Sequence, residues 1–164
     1  RPGPDRARRV QLIRVWRLTQ PHTAAFDGEG ARVYGGRWNH RGTPVVYTSS
    51  TLSLSVLELL VHLDDDDLAK DYVGIPADIP DPAEITLIRT TDLPREWRRL
   101  PGPQALAELG GRWAAARKAA VLAVPSSIVP HELNYLLNPL HPHFKRIRIG
   151  RPEPFSFDPR LGKP

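Results

Sequence analysis

The residues that point most directly to chemistry begin with one carboxylate in an apolar setting. Thr51–Leu63 reads TLSLSVLELLVHL. At 100° per residue its leucines and valines cover most of a helix circumference. Ser55, Glu58 and His62 fall within about 60° of one another, with Glu58 at the edge of that polar stripe and Ser53 on another face. A helix this apolar is expected to be largely buried, and a buried glutamate needs a partner or a purpose. The bland alternative is that the stripe is the solvent edge of an amphipathic helix.

The second candidate is the run Tyr34-Gly35-Gly36-Arg37-Trp38-Asn39. Glycines let the backbone pass close to a ligand. An arginine between them and a tryptophan can hold a phosphate or stack on a ring; otherwise it is a turn with a surface arginine. The third is Val124-Pro125-Ser126-Ser127, directly after an apolar run. Hydroxyls at the carboxyl end of a strand are placed for ligand contact, or simply end the strand. No Gly-x-Ser-x-Gly elbow surrounds either serine, which argues against a hydrolase nucleophile.

The fourth is the stretch from Glu132 through Asn134, Tyr135, Asn138 and Pro139 to His141 and Pro142. Two asparagines and nearby histidines could bind a polar ligand or a metal. His141 and His143 stand two apart with no carboxylate cluster beside them, so no metal site is expected. The segment reads as one that fixes its own turns through Asn side chains and Pro. Asp64–Asp67 lacks the Gly and Glu placement of a calcium loop and reads as a solvated linker.

These residues must be positioned by one domain. The 164 residues are 40% hydrophobic and 25% charged, enough to bury a real core. The 23 basic residues exceed the 18 acidic ones, for a net charge of +5, and arginine dominates the basic side. Arginine grips phosphates in a bidentate fork; the bland alternative is a GC-rich genome that encodes arginine in place of lysine. The absence of cysteine excludes a disulfide scaffold, a thiolate metal site, an iron–sulfur cluster and a cysteine nucleophile. No apolar run approaches the roughly 18 residues of a membrane span. The opening RPGPDRARRV has charge with no apolar stretch behind it, so no signal peptide is expected. A cytoplasmic protein is the expectation.

Residues 1–10 read as a loose arm, 11–158 as a single domain and 159–164 as a tail. Strands are predicted over Gln11–Leu18, Pro44–Thr48, Tyr72–Ile79, Glu84–Arg89, Ala119–Val124, Phe144–Ile149 and Pro154–Phe157. Residues 19–44 read as a long loop and 126–143 as a loop with a short helical turn. Helices are predicted over Thr51–Leu63, capped by Thr51, and within Pro101–Lys118, with a break near Gly110–Gly111. Strands and helices alternate without a regular βαβ rhythm or a Gly-rich phosphate loop. An α+β fold around a mixed sheet fits better than a Rossmann fold.

The ordered set of motifs resembles the RES-domain family, the toxin half of bacterial toxin–antitoxin pairs whose antitoxins carry a Xre-type helix-turn-helix. The resemblance runs through Val15-Trp16-Arg17, Gly36-Arg37-Trp38-Asn39, Gly42, Val46-Tyr47-Thr48, Leu57-Glu58 and His62. It continues through Gly110, Trp113, Val124-Pro125-Ser126, Asn134-Tyr135, Asn138-Pro139 and His141-Pro142, covering about residues 12–147. It implies a fold like that of ADP-ribosyltransferase toxins, with NAD+ as substrate and no further cofactor or metal. By this resemblance Glu58 is the catalytic carboxylate, and Arg17 and Arg37 hold the pyrophosphate. Tyr47 lies near the nicotinamide and its ribose, and Ser126, or Ser127 beside it, is the family serine. Trp38, Asn39 and Asn138 also fall at matching positions.

The implied activity is cleavage of the nicotinamide–ribose bond and depletion of NAD+, with water or phosphate as acceptor. Mono-ADP-ribosylation of a protein is the alternative. The implied partner is a Xre-type antitoxin that covers the active site, with a homodimer within the complex and no membrane contact. A basic nucleic-acid-binding module is the remote alternative, since Arg8, Arg9, Arg98, Arg99, Arg146 and Arg148 could meet phosphates. Against it, the arginines do not cluster on one element and no nucleic-acid-binding motif is present.

Overall fold

Two strands with matching apolar residues anchor the architecture. In the computed structural model, which describes residues 11–162, β1 (Ile13–Thr19) and β3 (Tyr72–Ile79) pair antiparallel from Ile13–Ile79 to Thr19–Val73. Val15, Ile75, Ala77 and Ile79 from this pair are buried together in the core. The arm expected at 1–10 lies outside the described residues, as do Lys163 and Pro164.

The other elements follow in order: α1 (Glu29–Tyr34), β2 (Val46–Ser49), α2 (Leu52–Leu60), α3 (Asp65–Leu68), β4 (Ile85–Leu87), α4 (Gln104–Ala116), β5 (Val121–Pro125), β6 (Leu133–Leu137), β7 (Arg148–Ile149) and β8 (Glu153–Phe155). The sheet runs β4-β5-β6-β2-β1-β3-β7, with β8 also paired to β3. Among the described residues only the β4–β5 pair is parallel. The fold is therefore α+β around a mixed sheet, as expected. The strands β1 and β2 share a single register pair, Trp16–Ser49, so the sheet parts between its two halves.

The helix α2 packs against both β1 and β2 at that parting. Thr51 caps it, its hydroxyl accepting from the Leu54 N–H at 3.0 Å. Leu52, Val56, Leu59 and Leu60 pack against Leu18, Tyr72 and Phe157. The expectation of a largely buried helix is corrected: within α2 only Leu54 and Ser55 are fully buried, and Leu57 and, just beyond the helix, Val61 are exposed. The helix lies over one side of the sheet, so one stripe meets the core and the other meets the open end of the parting.

Four further expectations are corrected. The stretch 19–44 is not a structureless loop: it contains α1 and a short 3-10 turn at Pro21–Thr23. The expected loop 126–143 contains β6, a strand with partners on both sides. Its five residues mix two polar side chains into an apolar run, so no period stands out. Much of the expected strand Phe144–Ile149 is a 3-10 turn at Pro142–Arg146, and the strand itself is Arg148–Ile149. The Asp64–Asp67 segment is no plain linker, because Asp64 and Asp67 close a capping box at the start of α3.

The helix α4 runs unbroken through Gly110 and Gly111. The reason is packing. A Cβ at Gly110 would lie 1.8 Å from the Trp38 carbonyl oxygen, whereas a Cβ at Gly111 would meet open space. Gly110 therefore lets α4 approach the backbone of the Trp38 turn, where Trp38, Trp97, Trp113 and Leu106 form one buried cluster. Gly110→Ala is expected to destabilise the protein by about 2–3 kcal/mol or more through overpacking. Gly111→Ala is expected to be neutral or to stabilise by up to about 1 kcal/mol through helix propensity. Urea denaturation of the two variants checks the pair.

Candidate active site

The parting of the sheet forms an open cleft of about 1470 Å³. β1 contributes Arg17, β2 contributes Tyr47 and Ser49, and β6 contributes Asn134. Ser55 and Glu58 come from α2, with His62 just after it. The turn at 35–41 and the segment at 98–104 close the rim. The polar stripe thus faces the cleft rather than forming only a solvent edge. Its upper end is fixed by Ser55, whose hydroxyl donates to the Trp16 carbonyl at 2.9 Å.

Glu58 is half-buried. Its Oε1 accepts from the Ser126 hydroxyl at 2.6 Å and from Asn134 Nδ2 at 2.5 Å. Among the described residues no group donates to Oε2, and no cation lies within ion-pairing distance of the carboxylate. One oxygen is clamped and the other is open to a ligand. The two donors are themselves fixed. Ser126 is fully buried, and its Oγ accepts from the Ile128 and Val129 N–H groups at 3.1 and 3.0 Å. Asn134 Oδ1 accepts from the Ser49 hydroxyl at 2.8 Å. Ser126 orients Glu58 from behind the cleft wall, whereas Ser127 lines the cleft and touches neither Glu58 oxygen. Asn134, which stands in a stretch expected to fix its own turns, is the residue that completes the clamp. The short apolar run around it, ended by Asn138-Pro139, is the signal that could have placed it on a strand.

The arginines are also held. Arg37 sits at the tip of a tight turn closed by the Gly36–Asn39 bridge, and its Nη1 donates to the Trp97 and Arg99 carbonyls at 2.9 and 3.1 Å. Arg17 donates to the Ala25 carbonyl and lies 5.5 Å from the Phe26 ring centre. Burial lowers the pKa of both; the Glu58 charge opposes the shift at Arg37 and Asp27 opposes it at Arg17. Both remain cations, as guanidinium groups do in proteins.

Tyr47 lines the cleft, but its hydroxyl is committed to the turn. It donates to Asn39 Oδ1 at 2.7 Å and accepts from the Trp38 N–H at 3.1 Å. Gly36 is needed there because a Cβ would lie 2.7 Å from that hydroxyl. Asn39 and Trp38 are 1% and 3% exposed. The Asn39 amide donates to the Ala31, His40 and Thr43 carbonyls, and the Trp38 ring belongs to the core. Both residues build the turn that presents Arg37.

Asn138 lies outside the cleft. Its Nδ2 donates to the Ala114 carbonyl at 3.0 Å, and its Oδ1 accepts from the Leu140 N–H at 3.0 Å. His141 Nε2 pairs with the Arg117 carbonyl at 3.0 Å. The Asn-Pro-Leu-His-Pro stretch therefore satisfies carbonyls at the end of α4, where Arg117 adopts a left-handed φ of 49°. The fold also supplies the carboxylate missing beside the histidines in sequence: Glu84 bonds His143 and groups with His141. Both His141 ring nitrogens are already hydrogen-bonded, Nδ1 to the His143 N–H. The cluster ties the start of β4 to the 142–146 turn.

A mixed sheet split by a cleft, with one clamped carboxylate and several arginines, defines an α+β protein suited to holding an anionic ligand. The chain belongs to the RES-domain family, whose model matches residues 14–158. It is 39% identical over 139 residues to "Toxin Res" of Yersinia enterocolitica, covering 84% of this chain and 91% of that protein. It is 38% identical over 152 residues to "Toxin Res" of Photorhabdus laumondii, covering 91% and 97%. It is 36% identical over 152 residues to the "Prs ADP-ribosylating toxin" of a Sphingobium strain, covering 89% and 94%. Its fold matches a chain of the M. tuberculosis MbcT–MbcA toxin–antitoxin complex with a TM-score of 0.73 at 18% identity, over 92% of this chain and 86% of that one. Among the described residues no helix is long and apolar enough to cross a membrane.

Asn138→Ala is expected to cost about 1–3 kcal/mol in urea denaturation, because it leaves a carbonyl and an N–H without partners, while ligand binding in the cleft is unchanged. Burial pushes the Tyr47 phenol well above the usual range. A group whose pKa rises on folding contributes stability below its unfolded value, about 10, and loses it as pH rises beyond that. Urea stability is expected to fall above about pH 10 more steeply in the native protein than in Tyr47→Phe.

Proposed function

We propose that this protein is the toxin of a toxin–antitoxin pair and that it cleaves the nicotinamide–ribose bond of NAD+. The observation that carries the reading is Glu58: one oxygen clamped, one open, in a cleft whose other charged lining residues are Arg17, Arg37, Arg41 and Arg98. The toxin names of relatives that match over nearly their whole length support it.

In the proposed reaction the C–N bond breaks and its electron pair leaves with the nicotinamide nitrogen. The leaving group departs neutral, so it needs little acid help. Positive charge develops on the ribose as an oxocarbenium-like species, and a fixed carboxylate stabilises it. Oε2 of Glu58 serves that charge, and its hydrogen bonding to ribose hydroxyls orients the sugar. Arg17 and Arg37 grip the diphosphate, each oriented in advance by backbone carbonyls. The ring of Tyr47 packs against the nicotinamide. Ser126 and Asn134 act through Glu58. No metal or additional cofactor enters this scheme.

Water as acceptor gives ADP-ribose, and phosphate gives its phosphorylated counterpart. The name of the Sphingobium relative favours a second reading, transfer of ADP-ribose to a protein side chain. The proposed setting is the cytoplasm, with a Xre-type antitoxin that covers the cleft and itself carries any contact with DNA.

Purified protein incubated with NAD+ is expected to release nicotinamide. Glu58→Gln, which keeps an acceptor for Ser126, is expected to lower that release by at least roughly 10²–10³-fold with the fold intact by circular dichroism. Mass spectrometry of the products with and without phosphate, and with candidate proteins, identifies the acceptor. Salt-dependent nucleic-acid binding with no loss of NAD+ would overturn the reading in favour of a basic binding module.

A further inference from the structure

Arg98 and Arg99 are neighbours in sequence but have different surroundings. Arg99 lies 3.7 Å from Glu96 and does not line the cleft. Arg98 lines the cleft, and its Nε donates to the Ser127 carbonyl at 2.8 Å. Ser127 directly follows Ser126, whose hydroxyl is bonded to Glu58. Arg98 is thus fixed one residue away from the clamp on the carboxylate. Among the described residues, no carboxylate lies within ion-pairing distance of it and its two Nη groups have no hydrogen-bond acceptor.

Arg17, Arg37 and Arg98 share one arrangement. In each, one nitrogen is spent on backbone carbonyls, which fixes the guanidinium. In each, the remaining donors have no protein acceptor among the described residues. Such a group has lost side-chain freedom before a ligand arrives, which lowers the cost of binding an anion. Arg37 also bonds the carbonyls flanking Arg98, those of Trp97 and Arg99. The position of Arg98 therefore depends on the same turn that presents Arg37.

We propose that Arg98 is a further substrate-contacting residue of the cleft, a third guanidinium that receives a phosphate of the dinucleotide. The proposal rests on NAD+ being the substrate class. It gives the 94–103 segment a function: it carries a ligand-binding cation across the rim and ties it to the Glu58 clamp.

The test measures binding and turnover separately. Calorimetry with ADP-ribose, which carries the diphosphate and lacks nicotinamide, compares the native protein with Arg98→Ala and Arg99→Ala. Arg98→Ala is expected to weaken ADP-ribose binding roughly tenfold or more, the loss of one charged hydrogen-bonding group, and Arg99→Ala to leave it unchanged. In nicotinamide release, Arg98→Ala is expected to raise KM by a similar factor with a smaller change in kcat. Equal binding by the native protein and Arg98→Ala overturns the proposal, as does failure of the native protein to bind ADP-ribose. A fall in kcat alone, with KM unchanged, also overturns it, because Arg98 would then only brace the Ser127 turn. Arg98-dependent binding of ADP-ribose without nicotinamide release leaves this contact standing and removes the proposed reaction instead.

Discussion

Everything at the site depends on one oxygen atom. Oε1 of Glu58 receives hydrogen bonds from the end of β5 and from β6, while Glu58 itself sits on α2. Three segments far apart in the chain meet there, and each is fixed by something else. β6 is held in register between β2 and β5, with Asn134 paired to Ser49 on one side and to Val124 on the other. A slip of one residue would turn Asn134 to the opposite face of the sheet and remove it from the carboxylate. The rotation of α2 is set by the Thr51 cap at its start and by Ser55 on the Trp16 carbonyl. The clamp is thus the point at which strand register and helix rotation must agree.

The same economy governs the cations. Arginine is long and flexible, and freezing it costs side-chain entropy. Here backbone carbonyls of neighbouring loops hold Arg17, Arg37 and Arg98, so the folded chain has already borne that cost. The turn carrying Arg37 is built in turn by Tyr47, Asn39 and Gly36, and it rests on α4 through the missing side chain of Gly110. Residues that look like ligand contacts in sequence thereby divide into two groups. Glu58, Arg17, Arg37 and the ring of Tyr47 line the cleft. Trp38 and Asn39 border it too, but their side chains are buried and build the turn; Ser126 supports Glu58 from behind, and Asn138 braces α4 elsewhere.

Elements with a strong pattern were legible in the sequence. β1, β3, β5 and the capped helix α2 carry apolar residues in runs that a core must cover, and the structure places them within a residue or two of expectation at most of their ends. Elements defined by their partners were not. β6 is short and partly polar, and it becomes a strand because β2 and β5 supply hydrogen bonds on both sides. The helix α4 contains two glycines that weaken local helix propensity, and packing against the Trp38 turn overrides that preference. The Glu84–His143 contact joins residues distant in sequence, and no spacing rule reaches across that distance.

By itself the sequence determined an α+β domain without cysteine and a helix bearing Glu58. It also set the Gly-Gly-Arg-Trp-Asn turn and the order of motifs that marks the RES-domain family. These follow from residue type and local spacing, which act along the chain. Only the tertiary structure decided that Ser126 rather than Ser127 orients Glu58, that Asn134 shares that task, and that Asn138 does not reach the cleft. It also separated Arg98, in the cleft, from Arg99, paired at the surface. These outcomes depend on which strands become neighbours and in what register, and that is settled by burying one shared core rather than by any segment alone.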